Sequence, residues 1–472
     1  MELAAIVLSL FLLMYFAFRG YSIILFGPVF ALVAAAASPF HLMPVYSELF
    51  MTKAAEFFKM YFSIILLGAV FAKVMEDAGM AKSIAGAIVG KLGKDQAILA
   101  TILGCAALTY GGLSVFVVVF VIYPFSAALF RQADIPKRLI PATIWLGVFT
   151  FSMIAFPGSP QIQNIIPTTF FGTTTWAAPV TGILSGLVIF GLGYGWLGYR
   201  HRTAAARGEG YGNHVLHEPQ LKEEHGLPHW SVSLIPLVAV VTVNLYFSNP
   251  FQWSWAYSWD ANSLIPFQAL KLSLLSPGIE KVRALWALNI ALVIGIILAL
   301  WIGHRGLRKH SSIKTVLNAG TASSLMAVLN TASGYGYGSV VANLPGFEVV
   351  KAALMQIKIG TGPLISEAIT ANILVGVTGS ASGGMTIALG MLGQEYMAWA
   401  QAVNMPPDIL HRIICLAAGG LDSLPHNGGL ITVMVVCGLT HRQSYGDIFA
   451  ITVMKTIVAF LFIAFYDLTG WL

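Results

Sequence analysis

Two stretches limit the possible folds more than any other feature. Residues 97–130 contain no Asp, Glu, Lys or Arg, and neither do residues 369–394. Yet neither stretch is apolar at its centre. The first reads Leu108-Thr-Tyr-Gly-Gly-Leu-Ser114 and the second Thr378-Gly-Ser-Ala-Ser-Gly-Gly384. Irregular backbone at membrane depth survives only where protein or a watery cavity satisfies its N–H and C=O groups. Two interrupted apolar segments in corresponding places point to a carrier with its site between them.

The rest of the chain supports a membrane setting. Of 472 residues, 57% are hydrophobic and 10% charged, against roughly 25% charged in soluble domains. Long apolar runs rather than short alternating ones exclude an outer-membrane barrel. Further runs near spanning length cover 3–18, 21–38, 57–75, 139–171, 176–199, 231–248, 284–303, 313–333, 411–440 and 446–467. The prediction is an all-α polytopic membrane protein of about ten crossings. No cleavable leader is expected, because Met1-Glu2-Leu3 has no basic segment.

The net charge of +6 does not indicate nucleic acid. Arg19, Arg131, Lys137, Arg138, Arg200, Arg202, Arg207, Lys222, residues 304–309 and Arg442 sit in short groups between apolar runs. Such groups mark the cytoplasmic side. Residues 249–280 carry one Lys with Trp253, Trp255, Tyr257 and Trp259, an outer interfacial cluster. If 97–130 and 363–400 are re-entrant hairpins, every basic loop falls inside. Each half then has five crossings, an odd number, so the halves are inverted. The expected division is a first repeat at 1–199, a cytoplasmic linker at 200–229 and a second repeat at 230–472. Weak internal matches agree: Gly79 with Gly346, Asp134-Ile-Pro136 with Asn404-Met-Pro406, and Phe156-Pro-Gly158 with Leu424-Pro-His426.

Each half also has a crossing broken near its middle, at Pro157-Gly-Ser-Pro-Gln-Ile-Gln-Asn164 and at Leu421-Asp-Ser-Leu-Pro-His-Asn-Gly-Gly429. Proline removes an N–H and clashes with the preceding turn. The half-helix after each break presents N–H groups and a positive dipole end, which suit an anion. Tips and breaks together bring Thr109, Tyr110, Ser114, Ser159, Gln161, Asn164, Thr378, Ser380, Ser382, Ser423 and Asn427 as candidate substrate ligands. Each hydroxyl could equally serve only to satisfy broken backbone. Asp422 and His426 are the candidate proton-coupling pair, since an ionisable group inside a membrane segment is expensive. Lys455 is expected to snorkel to the cytoplasmic face, and Glu367 and Glu395 to face solvent. Cys105, Cys415 and Cys437 read as small buried residues, and no metal or cofactor is expected.

At these residues the chain resembles the gluconate:proton symporter (GntP-type) permeases of the wider ion-transporter superfamily. The resemblance rests on the stretch from Gly68 to Gly79, Tyr110 at the first tip, Phe156-Pro-Gly-Ser-Pro160, Gly379-Ser-Ala381 and Ser423-Leu-Pro-His-Asn-Gly-Gly429. It implies a bacterial inner-membrane symporter, a homodimer, carrying a small organic anion with protons. Gluconate carriers have Tyr-Glu where this chain has Tyr110-Gly111, and His-Pro-Gly-Pro where it has Pro157-Gly-Ser-Pro160. With Phe151, Phe156 and Phe171 nearby, those changes favour a short monocarboxylate such as 3-hydroxybutyrate. Sodium coupling, a passive channel and an intramembrane enzyme are the competing readings. An ATP-driven pump is disfavoured because no Walker A motif is present, and the metalloprotease and serine-hydrolase motifs are missing as well.

Overall fold

The computed structural model describes residues 1–472 except 20, 215–217, 220–225, 273, 311, 358–359, 361 and 471–472. Lys222 of the linker thus lies outside the described residues. No strand occurs among those described.

Eighteen helices of the first and second halves pair one to one. In the first half they are α1 (Glu2–Phe18), α2 (Ile23–Ala35), α3 (Met51–Asp77), α4 (Met80–Leu92), α5 (Ala97–Tyr110), α6 (Val115–Gln132), α7 (Ile140–Val148), α8 (Ile162–Phe171) and α9 (Pro179–Ala206). In the second they are α10 (Ile235–Ser248), α11 (Arg283–His310), α12 (Ile313–Ala342), α13 (Phe347–Met355), α14 (Leu364–Thr378), α15 (Ala381–Ala402), α16 (Pro407–Ala418), α17 (Gly428–Cys437) and α18 (His441–Thr469). Met80 and Phe347, Ala97 and Leu364, Val115 and Ala381, Ile140 and Pro407, and Ile162 and Gly428 open equivalent helices, at offsets of 266 or 267 residues.

The interrupted runs fold as helical hairpins because their polar centres can turn. α5 has 14 residues, about 21 Å at 1.5 Å per residue, too short for a hydrocarbon core of about 30 Å. It ends at Gly111-Gly112, where Gly112 has φ +95° and its N–H donates to Thr109 O at 3.0 Å. α14 ends at Gly379, φ +61°, and Ser380 then caps α15 by accepting from Gly383 N at 3.2 Å. Both turns need backbone conformations that side chains disfavour. The hairpins leave through one shared turn. Asp134 (φ +51°) and Asn404 (φ +56°) each precede an amide that donates back into the helix, Ile135 N to Phe130 O and Met405 N to Ala400 O. Asn and Asp tolerate this region better than other non-glycine residues, which explains the internal match seen in the sequence. Gly346 is different from Gly79. It has ordinary helical φ and opens α13, and a Cβ there would strike Glu2 and Leu3 of α1.

Among the described residues, seven helical segments are long and apolar enough to cross a membrane. α12 misses that threshold because Asn318, Thr321, Ser323, Ser324, Asn330 and Thr331 interrupt its apolar residues. One of the seven, α6, is a hairpin arm, and another contains α7; α8 continuing α7, together with α1, α2, α12 and the broken α16–α17, completes the crossings. Burial separates centre from rim. The segment containing α7 is 94% buried inside the protein, whereas α9 and α18 are each 39% buried. The broken crossings therefore stand in the middle, and α3, α9, α12 and α18 surround them.

Candidate substrate site

Each broken crossing grips the tip of its own hairpin through an amide. Gln161 occupies the N-cap position of α8, and Asn427 the same position of α17. Gln161 Nε2 donates to Thr109 O at 2.7 Å and to Leu113 O at 3.1 Å. Asn427 Nδ2 donates to Gly379 O at 2.7 Å, while its Oδ1 accepts from Leu430 N at 2.8 Å. Tyr110 adds a bond from its hydroxyl to Pro157 O at 2.8 Å. Glycine permits the close approach. A Cβ at Gly112 would lie 2.9 Å from the Pro160 ring, and one at Gly379 2.5 Å from the His426 ring.

A cavity of about 590 Å³ opens where these four elements meet. Ser114 comes from the first tip, Gln161 and Gln163 from the first break, Thr378, Ser380 and Ser382 from the second tip, and Asp422, His426 and Asn427 from the second break. Eight of the thirteen candidate residues thus line one space. Its size suits a small molecule. The other five stand behind the wall. Thr109 and Ser159 are fully buried. Asn164 Nδ2 donates to Ser159 O and Thr175 O at 2.9 and 2.8 Å. Ser423 is bonded to Thr452, and Tyr110 to Pro157 O. These five support the breaks rather than face the cavity.

The wall also contains residues the sequence reading passed over. Asn330 and Thr331 project from α12, and Ser22 comes from the α1–α2 connection. An Asn-Thr pair inside a long apolar helix was the available signal for the first two.

The charges near the site depart from expectation. Lys455 does not reach an aqueous face. It is fully buried, and its Nζ donates to Asp422 Oδ1 at 2.6 Å. The ring of Trp145 lies 5.5 Å from the ammonium. The central position of α18 turns Lys455 inward, so the nearest anion is Asp422 rather than a lipid headgroup. Neither tip nor break holds a cation, yet a helix alongside supplies one. Glu367 is also fully buried, instead of facing solvent, because α14 packs against α15 and α16 there. Glu395 is half-buried and pairs with Lys351 at 2.8 Å. Two further buried residues hold α8 and the loop that follows it. His411 Nδ1 meets Thr173 Oγ1 at 2.6 Å and its Nε2 meets Asn164 Oδ1 at 3.2 Å. Arg412 Nη2 donates to Ala177 O at 2.8 Å.

The chain is 45% identical to YxjC of Bacillus subtilis (strain 168), an uncharacterized transporter, across 100% of both proteins. It belongs to this transporter family. No family model matches it. Among solved structures it superposes on MtrF of Neisseria gonorrhoeae, described with a class of antimetabolite efflux pumps, at a TM-score of 0.57 and 12% identity, over 94% of each chain. It superposes equally, at 0.57 and 14% identity, on the YdaH transporter of Alcanivorax borkumensis, described as having an unusual topology, over 90% of this chain and 89% of that one. At such identities the likeness is one of fold. The protein is a transporter rather than an enzyme, and the cavity between tips and breaks is its candidate substrate site.

Proposed function

We propose that this transporter is a proton-coupled secondary carrier that takes up a small hydroxy monocarboxylate of the 3-hydroxybutyrate or gluconate type across the bacterial inner membrane. The observation that carries this reading is the buried ion pair between Asp422, at the cavity wall, and Lys455 behind it. As an ion pair the two residues cancel. Protonation of Asp422 leaves Lys455 with an unmatched positive charge in a low-dielectric setting, which a carboxylate in the cavity can neutralise. Proton and anion therefore favour each other's binding. Ligands that bind cooperatively travel together, so an inward proton gradient drives uptake rather than efflux. Hydroxyls of Ser114, Ser380 and Ser382 and the amide groups of Gln161 and Asn427 suit the substrate's hydroxyl groups. His426, beside Gly379, is the proton relay in this reading. A single cation suits one carboxylate better than two or three, because each further unpaired charge carries a desolvation cost. The repeats at 1–199 and 230–472, joined by a cytoplasmic linker at 200–229, are the units that alternate access in this reading.

Purified protein in liposomes tests it. An inward pH gradient should drive accumulation of labelled 3-hydroxybutyrate. A protonophore should abolish accumulation, and gluconate and lactate should compete. Accumulation driven by a sodium gradient alone, or competition by succinate and citrate but by no monocarboxylate, would overturn the reading.

A further inference from the structure

Glu367 is 0% exposed, and neither of its carboxyl oxygens has a hydrogen-bond partner among the described residues. It lies about 16 Å along α14 from the cavity residue Thr378, at 1.5 Å per residue, at the end of that helix away from the second tip. The neighbouring hydroxyls are committed elsewhere. Ser366 Oγ donates to Leu354 O at 2.7 Å, and Thr370 Oγ1 shares a hydrogen bond with Tyr396 at 2.9 Å. The nearest titratable groups on the helices packed against it are Tyr396 of α15 and Cys415 of α16. The cations and imidazole on the helices around it are engaged with other partners. Lys351 of α13 pairs with Glu395 of α15, Lys455 of α18 with Asp422, and His411 with Thr173 and Asn164, while Arg412 of α16 gives its Nε and Nη2 to Ala177 O and its buried Nη1 to no hydrogen-bond partner, Glu367 included.

A carboxylate buried without a cation or a donor is far costlier than the neutral acid, so this carboxyl carries a proton in the present conformation. A permanently neutral position would be filled more cheaply by an apolar side chain. One neighbour also leads towards the cavity, since Cys415 Sγ donates at 3.2 Å to the carbonyl of Gln163, a residue of the cavity wall.

We propose that Glu367 is a second proton-binding site of the carrier, loaded in this conformation and emptied when α14 and α16 part far enough to admit water. The step is a plain proton transfer. The carboxyl O–H bond breaks, water takes the proton, and the carboxylate keeps the electron pair. The inference rests on the proton-coupled reading above. It adds a second proton to the one on Asp422, so each monocarboxylate moves with two protons and the cycle carries net positive charge.

Two measurements on full-length protein test it. The first is infrared spectroscopy of purified protein at neutral pH, in the protonated-carboxyl region. A band should be present in the wild type and in Asp422→Asn, absent from Glu367→Gln, and present again in Glu367→Asp. The second imposes a membrane potential, inside negative, without a pH gradient on liposomes supplied with labelled 3-hydroxybutyrate. Wild type should accumulate the label. Glu367→Gln should lose that response while still responding to a pH gradient, a split that a purely structural role would not produce. An infrared spectrum unchanged by Glu367→Gln, or a full voltage response in that variant, overturns the inference. If wild type carries none of the monocarboxylates, the reading of the substrate fails, and the infrared band and its loss on alkaline titration still decide Glu367.

Discussion

Asp422 and Lys455 stabilise the protein only as a pair. Removing one partner of a buried ion pair leaves the other charge uncompensated, at a cost of about 3–5 kcal/mol, whereas replacing both is often close to neutral. Lys455→Met should therefore lower the unfolding temperature sharply, and Asp422→Asn combined with Lys455→Met should recover most of the loss. The double variant should still fail to accumulate substrate against a gradient, because it has lost both the proton acceptor and the released cation. Thermal unfolding of the three purified variants, followed by liposome uptake, separates the two roles. Asp422→Asn alone should abolish gradient-driven accumulation and leave part of the substrate exchange. If that variant concentrates substrate as wild type does, Asp422 is not the coupling group.

Each hairpin tip is held by the adjoining break, and the second tip shows how narrow the tolerance is. Gly379→Ala meets two obstacles, a φ of +61° and a Cβ 2.5 Å from the ring of His426. The strain should cost about 1–3 kcal/mol and impair transport together with stability. Gly191→Ala is the control. Nothing lies within 4 Å of its Cβ, so it should stabilise α9 by about 0.5–1 kcal/mol. Denaturation of both variants checks the contrast. Equal effects would mean that the close approach of tip to break has no energetic weight. Asn427 and Gln161 should each contribute about 1 kcal/mol through their amide bonds to the tips, measured the same way on Asn427→Ala and Gln161→Ala.

The whole molecule is two similar halves joined by a linker that folds back on the first hairpin's exit. Arg138 binds Glu209 at 2.6 Å, Lys137 binds Glu218 at 2.8 Å, and Tyr211 N donates to Asp134 at 2.8 Å. The Arg138 guanidinium holds the Glu209 carboxyl below its ordinary value of 4.5. A depressed acid contributes stability above its unfolded value and loses it as pH falls through the folded one. The linker clamp should therefore persist down to pH 4.5 and loosen below it, read as protease accessibility of the linker. Glu209→Gln should remove that pH dependence. The topology has its own test. An impermeant maleimide should label Ser254→Cys in intact cells, and Ala205→Cys only after the membrane is opened. The reverse pattern would invert the assigned orientation.

The sequence by itself determined the helices, the hairpins and the breaks. Those features follow from local chemistry: uncharged runs, glycines where the chain must turn, and prolines where a helix cannot continue. The repeat was legible for the same reason, since Asp134 and Asn404 mark one turn used twice. Eight candidate site residues were legible because a tip or a break has few places to point other than a shared centre. The tertiary structure alone decided the charges. Whether Lys455 snorkels or pairs, and whether Glu367 meets water or protein, depends on which face of a helix its neighbours cover. That is set by what packs there, Asp422 and Trp145 for Lys455 and α15 and α16 for Glu367, and no local pattern around Lys455 or Glu367 encodes it.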